Sequence, residues 1–493
     1  MSTNPVIVDR NDPRFDTLKR GNNIRFPAND AEAANRIILC NDATEIADAL
    51  QRVVASGIRP TVRSGGHCYE DFVANNPHGA IIDVSMHNKV DAASTKGPFR
   101  IASGAKLGEV YQVLYKRYDV TLPAGTCYMV GAGGHISGGG YGLLARQHGL
   151  SADWVTAFDV LTVDVHGKVA AQRVDRTNHS DLFRACRGAG GGNFGVITNF
   201  YFDKLPLSPR EVGEASLSFP WATMTPERLY KLLSIYGNYF NTRGRNPDTW
   251  GLSVVLTIGA RRPANAINIA LQYCNAEGNA RDLAIAEEFL DCFSELDPTI
   301  HSSGSGSQRV KRRSWLEAML ASSDSGGATR AKYKSTYMKA PFTKEECDTL
   351  YKYLASPDID AHGFVLEVDG FGGAANAAER VRDTAIAQRS SIMKLQWQCY
   401  WQDEAEDAGR LKFMDDFYTE MYTGPHVPAG YQGTPFGNRY EGCYMNYADV
   451  DMLRYKYWPQ LYYGTAGLYP FLQQVKRRYD PNNIFHSSMS IRL

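Results

Sequence analysis

Two nucleophilic side chains, His67 and Cys127, stand beside runs of glycine in this chain of 493 residues. His67 ends the segment Thr61-Val-Arg-Ser-Gly-Gly-His67, and Cys127 lies just before the glycine-rich run at 131–142. Glycines adopt positive φ and let backbone N–H groups approach an anionic diphosphate without interference from side chains. The pattern suggests a dinucleotide-like ligand. The structural alternatives are a tight turn at Gly-Gly-His and a small core residue at position 127.

The residues ahead of His67 read as a strand, a helix and a second strand. Residues 37–40 are apolar, the apolar positions 46, 50, 53 and 54 recur with helical spacing, and 60–63 is a short β-rich run. Asp42 or Thr44 is suited to cap the helix, and Gly57 is suited to end it. This βαβ unit places residues 64–67 at the carboxyl end of a strand, where open α/β sheets commonly bind ligands. The position favours a ligand site over a plain turn.

A second unit leads to Cys127. Residues 81–84 read as a strand, 107–115 as a short helix, and 120–123 as an extended strand that runs into Cys127. The β-rich runs 155–165 and 169–174 flank His166-Gly167, which is typical of a hairpin turn. We therefore predict that His166 is a turn residue without a catalytic role. The polar stretches at 301–308 and 322–328 read as exposed connections, with a mobile lid as the alternative.

Motifs along the whole chain resemble the berberine-bridge-enzyme-like branch of the vanillyl-alcohol-oxidase (PCMH-type) flavoprotein superfamily. Besides the segments of His67 and Cys127, the resemblance includes Asp12-Pro-Arg-Phe, Asn23-Ile-Arg-Phe-Pro27, Arg187-Gly-Ala-Gly-Gly-Gly-Asn193-Phe-Gly-Val-Ile-Thr198, Tyr444-Met-Asn-Tyr447 and Tyr479-Asp-Pro-Asn-Asn-Ile-Phe485. It implies an α+β, two-domain fold: an FAD-binding α+β domain, and a substrate domain whose antiparallel sheet is covered by helices. Because the glycine motifs cease near 205–212, we predict an FAD-binding domain at 1–205 and a substrate-binding domain at 206–450. The segment 451–493 would return to the FAD-binding domain.

The same resemblance implies an FAD bound covalently twice, through its 8α-methyl carbon to His67 and through C6 to Cys127. Two such links would prevent loss of the cofactor, leave the cavity open to bulky substrates and make the flavin a stronger oxidant. Further residues expected around the cofactor are Arg63, Ser64, Gly65, Gly66, Val130, Gly133, Gly134, His135, Gly138, Gly139, Gly142, Asn193, Gly195, Val196 and Tyr447.

Tyr447 is the predicted catalytic base, since by resemblance it matches the tyrosine that lies beside the flavin. A phenol can accept a hydroxyl proton if its surroundings lower its pKa far below the ordinary value of about 10. Tyr444 is a second candidate. A pair of tyrosines packed in a domain interface is the structural alternative, because the chain has 28 tyrosines.

The alternating segment at 394–401 predicts one core face and one cavity face. The odd positions 397, 399 and 401 share the first face and the even positions 396, 398 and 400 the second, so we expect Gln398 or Tyr400 to line the substrate cavity. Asp369-Gly-Phe371 occupies a place where some carbohydrate oxidases of the family have a tyrosine. Asp369 would assist catalysis there, or it would form a turn beside its glycines.

The reaction implied by the resemblance oxidises an alcohol or hemiacetal carbon of a sugar or a glycosylated natural product. Tyr447 takes the hydroxyl proton while a hydride passes to flavin N5. Dioxygen then takes the electrons and leaves as hydrogen peroxide, with Val130 as the expected gate for oxygen. Two alternatives stay open: an oxidative cyclase that forms a C–C or C–O bond, and a flavin-binding protein that has lost turnover.

Composition argues against several classes of partner. Lys+Arg and Asp+Glu are both 53, so no net field would recruit nucleic acid or an acidic membrane surface. No run of about 18 apolar residues occurs and the first ten residues do not resemble a signal peptide, so we expect a cytoplasmic protein. Nine scattered cysteines argue against a disulfide framework and against a metal site. The expected partners are a small-molecule substrate (sugar, glycoside or other alcohol) and O2. The oligomeric state does not follow from the sequence.

Overall fold

The computed structural model describes residues 5–301, 309–321, 327–377 and 379–493. Within these ranges the chain forms three β-sheets with helices packed on them. The two polar stretches that the sequence predicts to be exposed connections lie almost entirely outside the described residues. The division into domains at 205 and 450 stays a prediction.

The first sheet contains the strand that leads to His67. Its strands are β1 (Val6–Asp9), β2 (Arg36–Leu39), β3 (Pro60–Arg63) and β4 (Ala80–Asp83), in the order β1-β2-β4-β3. β2 and β3 run parallel to β4, as a βαβ unit requires. The helix between β2 and β3 begins after Asp42, whose carboxylate accepts the N–H groups of Thr44 and Glu45. The predicted strand–helix–strand unit is therefore confirmed, with Asp42 as the cap.

A second, antiparallel sheet follows. Its strands are β5 (Val90–Ala92), β6 (Phe99–Ala102), β7 (Ala157–Val163), β8 (Val169–Asp175) and β9 (Val196–Phe202), in the order β5-β6-β9-β7-β8. The predicted hairpin is confirmed, because β7 pairs with β8 and Gly167 has a φ of 77° in the turn. The predicted strand at 120–123 is wrong. Val120 forms an isolated bridge to Leu207, and Pro123 lacks the N–H that a longer ladder would need.

The third sheet is the largest. Its strands are β10 (Glu211–Pro220), β11 (Leu252–Gly259), β12 (Ala266–Tyr273), β13 (Thr299–His301), β14 (Lys311–Ser314), β15 (Arg330–Met338), β16 (Phe364–Gly370) and β17 (Met393–Trp401). The order is β13-β10-β12-β11-β16-β17-β15, with β14 also paired to β10, so β15 is an edge strand. All pairs are antiparallel.

Helices cover one face of this sheet and connect the strands. Along the whole described chain, including the parts around the other two sheets, the helices are α1 (Phe15–Leu18), α2 (Ala43–Ala55), α3 (Leu107–Tyr118), α4 (Ala132–Ser137), α5 (Ala145–His148), α6 (Ser151–Trp154), α7 (Ser180–Ala185), α8 (Pro226–Asn241), α9 (Arg261–Ala264), α10 (Ala284–Asp291), α11 (Trp315–Ala321), α12 (Lys344–Ala355), α13 (Arg380–Asp383), α14 (Asp407–Met421), α15 (Trp458–Tyr463) and α16 (Leu468–Tyr479). Trp397 of β17 is fully buried against Phe417 and Tyr418 of α14. This packing fixes the helix-covered face and leaves the opposite face of the sheet for the cavity.

The C-terminal segment packs on the N-terminal part of the chain. Lys476 of α16 donates to the carbonyl oxygen of Asn193 at 2.8 Å, and Phe485 is buried in the core of the first sheet. Among the described residues, no helix has both the length and the apolar character needed to cross a bilayer. In the same part of the chain, no group of three or more His, Cys, Asp or Glu side chains is placed to hold a metal ion.

Candidate active site

A cavity of about 990 Å³ extends from the glycine loops to the uncovered face of the large sheet. Most of the predicted site residues line it: Arg63, Ser64, Gly65, Gly66, His67, Cys127, Val130, Gly133, Gly134, His135, Gly142, Asn193, Gly195, Val196, Asp369, Gln398, Tyr444 and Tyr447. Gly138 and Gly139 lie elsewhere. A Cβ at Gly138 would lie 1.9 Å from Asn446 Oδ1, and one at Gly139 would lie 3.5 Å from the Tyr444 ring. These two glycines make room for the Tyr444–Tyr447 turn.

The glycine loops form a close-packed cradle. A Cβ at Gly65 would lie 2.3 Å from Gly131 N, and a Cβ at Gly131 would lie 2.0 Å from Ser64 Oγ. Only glycine permits this approach of two backbones. A Cβ at Gly134, in contrast, would meet no protein atom within 4 Å. The two glycine loops therefore pack closely against each other, while Gly134 faces the open space of the cavity.

These residues fit an FAD. Backbone-rich loops suit a diphosphate, and Ser103 Oγ, on the cradle wall, is buried without a hydrogen-bond partner in the described part of the chain. Such an orphaned hydroxyl is available to a ligand oxygen. Because His67 and Cys127 line the same cavity, the nucleophiles and the cradle face a single space.

The surroundings of His67 favour its neutral form. Burial lowers the pKa of His67 to about 4, and the positive charge of Lys106 adds to the effect. The imidazole is therefore neutral at pH 7 and keeps a lone pair on nitrogen.

His135 supports the loop of Cys127. Its Nε2 accepts the N–H of Gly125 at 3.1 Å, two residues before the cysteine. Burial lowers the pKa of His135 to about 4, so the ring is neutral and can accept this hydrogen bond. The loop then turns back, with Val130 N donating to the carbonyl oxygen of Cys127 at 3.2 Å. His135 thus holds the loop that presents the thiol.

Two predicted cofactor residues direct their polar atoms into the protein. Arg63 Nε lies 2.6 Å from Asp83 Oδ2, and its Nη1 donates to the carbonyl oxygen of Arg20 at 2.9 Å. Asn193 Oδ1 accepts the N–H of Ile491 at 2.8 Å, while its amide donates to the carbonyl oxygen of Gly190 at 3.1 Å. Both side chains hold the cradle in place from behind.

Tyr447 ends a short 3-10 turn over Met445–Tyr447, and Tyr444 directly precedes this turn. Ser335 of β15 fixes this turn, since its hydroxyl accepts the N–H of Tyr444 at 2.9 Å and donates to the carbonyl oxygen of Tyr447 at 3.2 Å. The Tyr444 hydroxyl accepts the N–H of Gly140 at 3.1 Å. It also accepts from the side-chain amide of Asn446 at 3.1 Å. Tyr444 is thus bound to the glycine segment.

Burial raises the pKa of both tyrosines. That of Tyr444 rises to about 12, and that of Tyr447 rises well above its ordinary value, with Tyr69 and Asp369 adding to the effect of burial. The protein groups around Tyr447 therefore do not by themselves meet the condition that the sequence argument sets for a tyrosine base. The physical reason is that burial disfavours the charged phenolate.

Lys394 of β17 is a fully buried charged residue beside the predicted base, and sequence reasoning missed it. Its ammonium lies 4.6 Å from the ring centroid of Tyr447 and 4.3 Å from that of Tyr141. It also forms a buried ion pair with Asp369. Asp369 belongs to β16, so the alternative that it forms a turn is wrong. Alternation already places 394 on the same face as 396 and 398, and this signal was available in the sequence.

The uncovered face of the sheet is polar. Gln396, Gln398 and Tyr400 line the cavity, whereas Trp397, Cys399 and Trp401 are buried in the core, which confirms the predicted alternation. The Tyr400 hydroxyl donates to Gln398 Oε1.

Tyr69 is a cavity residue that the sequence did not single out. It stacks on Tyr333 with ring centroids 3.5 Å apart, and its hydroxyl accepts from Gln396 at 3.0 Å. Its ring centroid lies 5.6 Å from that of Tyr447. Tyr69 therefore joins the His67 loop to the sheet.

Comparison with known proteins agrees with this site. A family model described as "FAD binding domain" matches residues 34–169, and one described as "Berberine and berberine like" matches residues 443–492. The chain is 34% identical to aclacinomycin-N/aclacinomycin-A oxidase of Streptomyces galilaeus over 99% of this chain and 90% of that protein. It is 33% identical to hexose oxidase of Chondrus crispus over 100% of this chain and 95% of that protein.

A solved structure extends the likeness to the fold. The structure of GilR, an oxidoreductase that catalyses the terminal step of gilvocarcin biosynthesis, matches with a TM-score of 0.89 at 29% identity, covering 99% of this chain and 100% of that one. The match includes both the part of the chain with the glycine cradle and the large sheet. The chain therefore belongs to the berberine-bridge-enzyme-like family of FAD-linked oxidases and oxidoreductases, with the two-domain α+β fold of VAO/PCMH-type flavoenzymes.

Proposed function

We propose that this enzyme oxidises an alcohol or hemiacetal carbon of a sugar or a glycosylated natural product, with a doubly attached FAD and O2 as the electron acceptor. The observation that carries the proposal is a single cavity whose wall includes His67, Cys127 and Tyr447 as well as the polar face of the large sheet. The likeness to a hexose oxidase supports a sugar as substrate. An oxidative cyclase is less well supported, because this wall is rich in hydrogen-bonding groups.

The polar sheet face is suited to bind hydroxyl groups. Amide and hydroxyl side chains of Ser253, Gln272, Gln396 and Gln398 and the carboxylate of Glu367 line it. Amides both donate and accept hydrogen bonds, and a carboxylate accepts them, so the wall can bind each hydroxyl of a sugar in either sense. An apolar substrate would displace water from these groups without replacing its hydrogen bonds, at about 1–3 kcal/mol for each donor or acceptor left unsatisfied.

His67 and Cys127 would hold the flavin covalently, while Ser64, Ser103 and the cradle glycines would hold the remainder of the FAD. The chemistry that FAD supplies when bound is acceptance of a hydride from the substrate carbon and transfer of the two electrons to O2, which leaves as hydrogen peroxide. Val130, in the wall three residues after Cys127, stays the predicted gate for O2.

Tyr447 would accept the proton of the substrate hydroxyl as the carbonyl forms. The charge of Lys394, 4.6 Å from the ring, stabilises the phenolate that must exist before the transfer. Asp369 holds the ammonium in place through the ion pair. Tyr444 would act as a positioning residue. Its hydroxyl accepts a hydrogen bond from Gly140 and so connects the turn that carries Tyr447 to the glycine segment at 138–141.

Anaerobic mixing with hexoses and glycosides tests the function. We expect loss of flavin absorbance with substrate and release of one hydrogen peroxide per carbonyl formed when air is admitted. A washed acid precipitate should stay yellow but fluoresce weakly, because a thioether at C6 quenches flavin emission. Free flavin in the supernatant would refute covalent attachment, and product cyclisation without peroxide would favour the cyclase.

Gly134→Ala tests the position of the cofactor. The added methyl group enters open space in the protein, so the flavin-free form should unfold at an unchanged or slightly higher temperature, since alanine favours a helix by about 0.5–1 kcal/mol over glycine. The same methyl group would intrude on the ligand, so the flavin content per chain should fall several-fold. Absorbance of the purified protein measures this.

Gly409→Ala is the matched control for that measurement. Gly409 is an exposed glycine in α14 whose Cβ would also meet no atom within 4 Å, but it lies outside the cavity. Its flavin content should equal that of the parent. A full complement of flavin in Gly134→Ala would remove the cradle from the proposed FAD site.

A further inference from the structure

Five buried or half-buried charged residues meet at the edge strand β15, where Lys332 and Lys334 project from the face opposite Tyr333. We call this group the charge clamp; it comprises Glu70, Lys332, Lys334, Asp449 and Asp451. Lys332 Nζ lies 2.7 Å from Glu70 Oε1 and 2.7 Å from Asp449 Oδ1. Lys334 Nζ lies 2.7 Å from Asp449 Oδ2 and 2.7 Å from Asp451 Oδ2. The side chains of Glu70, Lys332, Lys334 and Asp449 are at most 2% exposed.

The loop that begins at His67 contacts side chains from both faces of β15. Tyr69 lies on the cavity side, stacked on Tyr333 with centroids 3.5 Å apart. The next residue, Glu70, binds Lys332, which projects from the opposite face of the strand. Because successive residues of a strand point to opposite faces, Lys332 and Tyr333 are placed to receive this pair. The loop is thus fixed on the edge strand by one ring contact and one ion pair.

The loop that carries Tyr447 also contacts side chains from both faces of β15. On the cavity side, Ser335 donates to the carbonyl oxygen of Tyr447 at 3.2 Å. On the far side, Asp449 binds both ammonium groups. Lys332 therefore contacts both loops at once, one through Glu70 and the other through Asp449.

We propose that the charge clamp is a positioning device for the proposed reaction: Lys332 holds the loop of His67 and the loop of Tyr447 at a fixed separation across β15. The proposal rests on the proposed role of Tyr447 as the base. Its direct structural consequence is the near-parallel approach of Tyr69 and Tyr447, whose ring centroids lie 5.6 Å apart at 22°. Buried ionic groups are best known for such a register role.

The clamp contains two ammonium groups and three carboxylates. Burial raises the pKa of Glu70, and its Oε2 forms no hydrogen bond within the described ranges. Because Asp449 and Asp451 already supply one carboxylate for each ammonium group, Glu70 is needed as a hydrogen-bond acceptor for Lys332 through Oε1. A glutamine at position 70 keeps that acceptor, whereas an alanine removes it.

The test compares Lys332→Met with Arg330→Met in the flavin-loaded enzyme. Arg330 lies two residues earlier on the same face of β15, and its Nε donates to Asp407 Oδ1 at 2.6 Å without touching either loop. Both variants lose a cation from the back of the same strand. Three quantities are measured for each: unfolding temperature, acid-stable flavin per chain, and limiting rate of anaerobic flavin reduction.

We expect both variants to unfold at lower temperature and only Lys332→Met to change the site. Its limiting rate should fall at least tenfold with little change in KM, because Tyr447 is displaced while the sugar-binding wall is intact. Its acid-stable flavin should fall by half or more, because the His67 loop is released. Arg330→Met should stay within twofold of the parent in both readouts. Equal behaviour of the two variants, or a change in only one readout, would overturn the proposal.

Glu70→Gln and Glu70→Ala give a second test that does not depend on the folding of Lys332→Met. The glutamine variant should keep the rate and the acid-stable flavin within twofold, and the alanine variant should lose both. Equal behaviour of these two variants would also overturn the clamp. Tyr447→Phe is measured in parallel: a parental rate there refutes the proposed function, whereas a slow Tyr447→Phe beside an unaffected Lys332→Met refutes the clamp alone.

Discussion

Tyr447→Phe is expected to slow anaerobic flavin reduction by substrate at least about 100-fold, since general base catalysis contributes about 10²–10⁴-fold. The flavin should stay bound, because the predicted attachment residues and the cradle are unchanged. The ring contacts with Tyr69 and Tyr444 do not need the hydroxyl, so the unfolding temperature should change little. Stopped-flow absorbance of the anaerobic enzyme measures the rate.

Tyr422→Phe is the control for loss of a buried phenol. The Tyr422 hydroxyl shares a hydrogen bond of 2.6 Å with Thr336 on the helix-covered side of the sheet. Its loss should lower stability by about 1 kcal/mol and leave the reduction rate within twofold. A parental reduction rate in Tyr447→Phe would remove this tyrosine from the mechanism.

The pH dependence follows from the raised pKa of Tyr447. A base must lose its own proton before it accepts another, so its active fraction grows as the pH rises toward its pKa. Since burial raises the pKa of Tyr447 well above its ordinary value, the reduction rate should increase steadily from pH 6 to pH 9. A rate that is already constant above pH 7 would indicate a base of lower pKa, such as a carboxylate.

Lys394→Met is expected to have the second largest effect. It removes the cation beside Tyr447 and leaves the buried carboxylate of Asp369 without its ion-pair partner. Breaking a buried ion pair in this way typically costs about 3–5 kcal/mol of stability. The phenolate also loses its nearby positive charge, so the reduction rate at pH 7 should fall by at least about tenfold and the rise of rate with pH should shift to higher pH.

The double variant Lys394→Met/Asp369→Asn separates the two consequences. The asparagine at position 369 is neutral, so no unpaired charge is buried there. Most of the decrease in unfolding temperature that Lys394→Met causes should therefore be reversed. The reduction rate should stay low, because the cation beside Tyr447 is still absent. Recovery of both properties would show that Lys394 matters only as the partner of Asp369.

Local patterns in the sequence predicted the elements around the cradle. The βαβ unit before His67 follows from the helical spacing of apolar residues and from Asp42 at the cap, both of which act over a few residues. The period of two at 394–401 placed Gln398 in the cavity and Trp397 in the core for the same reason. The extended segment at 120–123 failed as a strand because pairing depends on a partner elsewhere in the chain.

The candidate site contains residues whose roles depend on distant parts of the chain. Lys394 faces Tyr447 across more than fifty positions of sequence, and no local pattern joins them. Arg63 is the last residue of a predicted strand that leads to the cavity, yet its guanidinium forms an ion pair with Asp83 inside the protein. Gly138 and Gly139 belong to the glycine motif but make room for Asn446 and Tyr444.

The sequence by itself determined the two nucleophiles, the glycine cradle and the alternating sheet face, because these depend on residue type, spacing and short-range periodicity. Only the tertiary structure decided that burial raises the pKa of Tyr447, that Lys394 stands beside it, and that Lys332 joins Glu70 to Asp449. The physical reason is that burial and Coulomb interactions depend on distance in space. Glu70 and Lys332 are 262 residues apart in the chain and 2.7 Å apart in the fold.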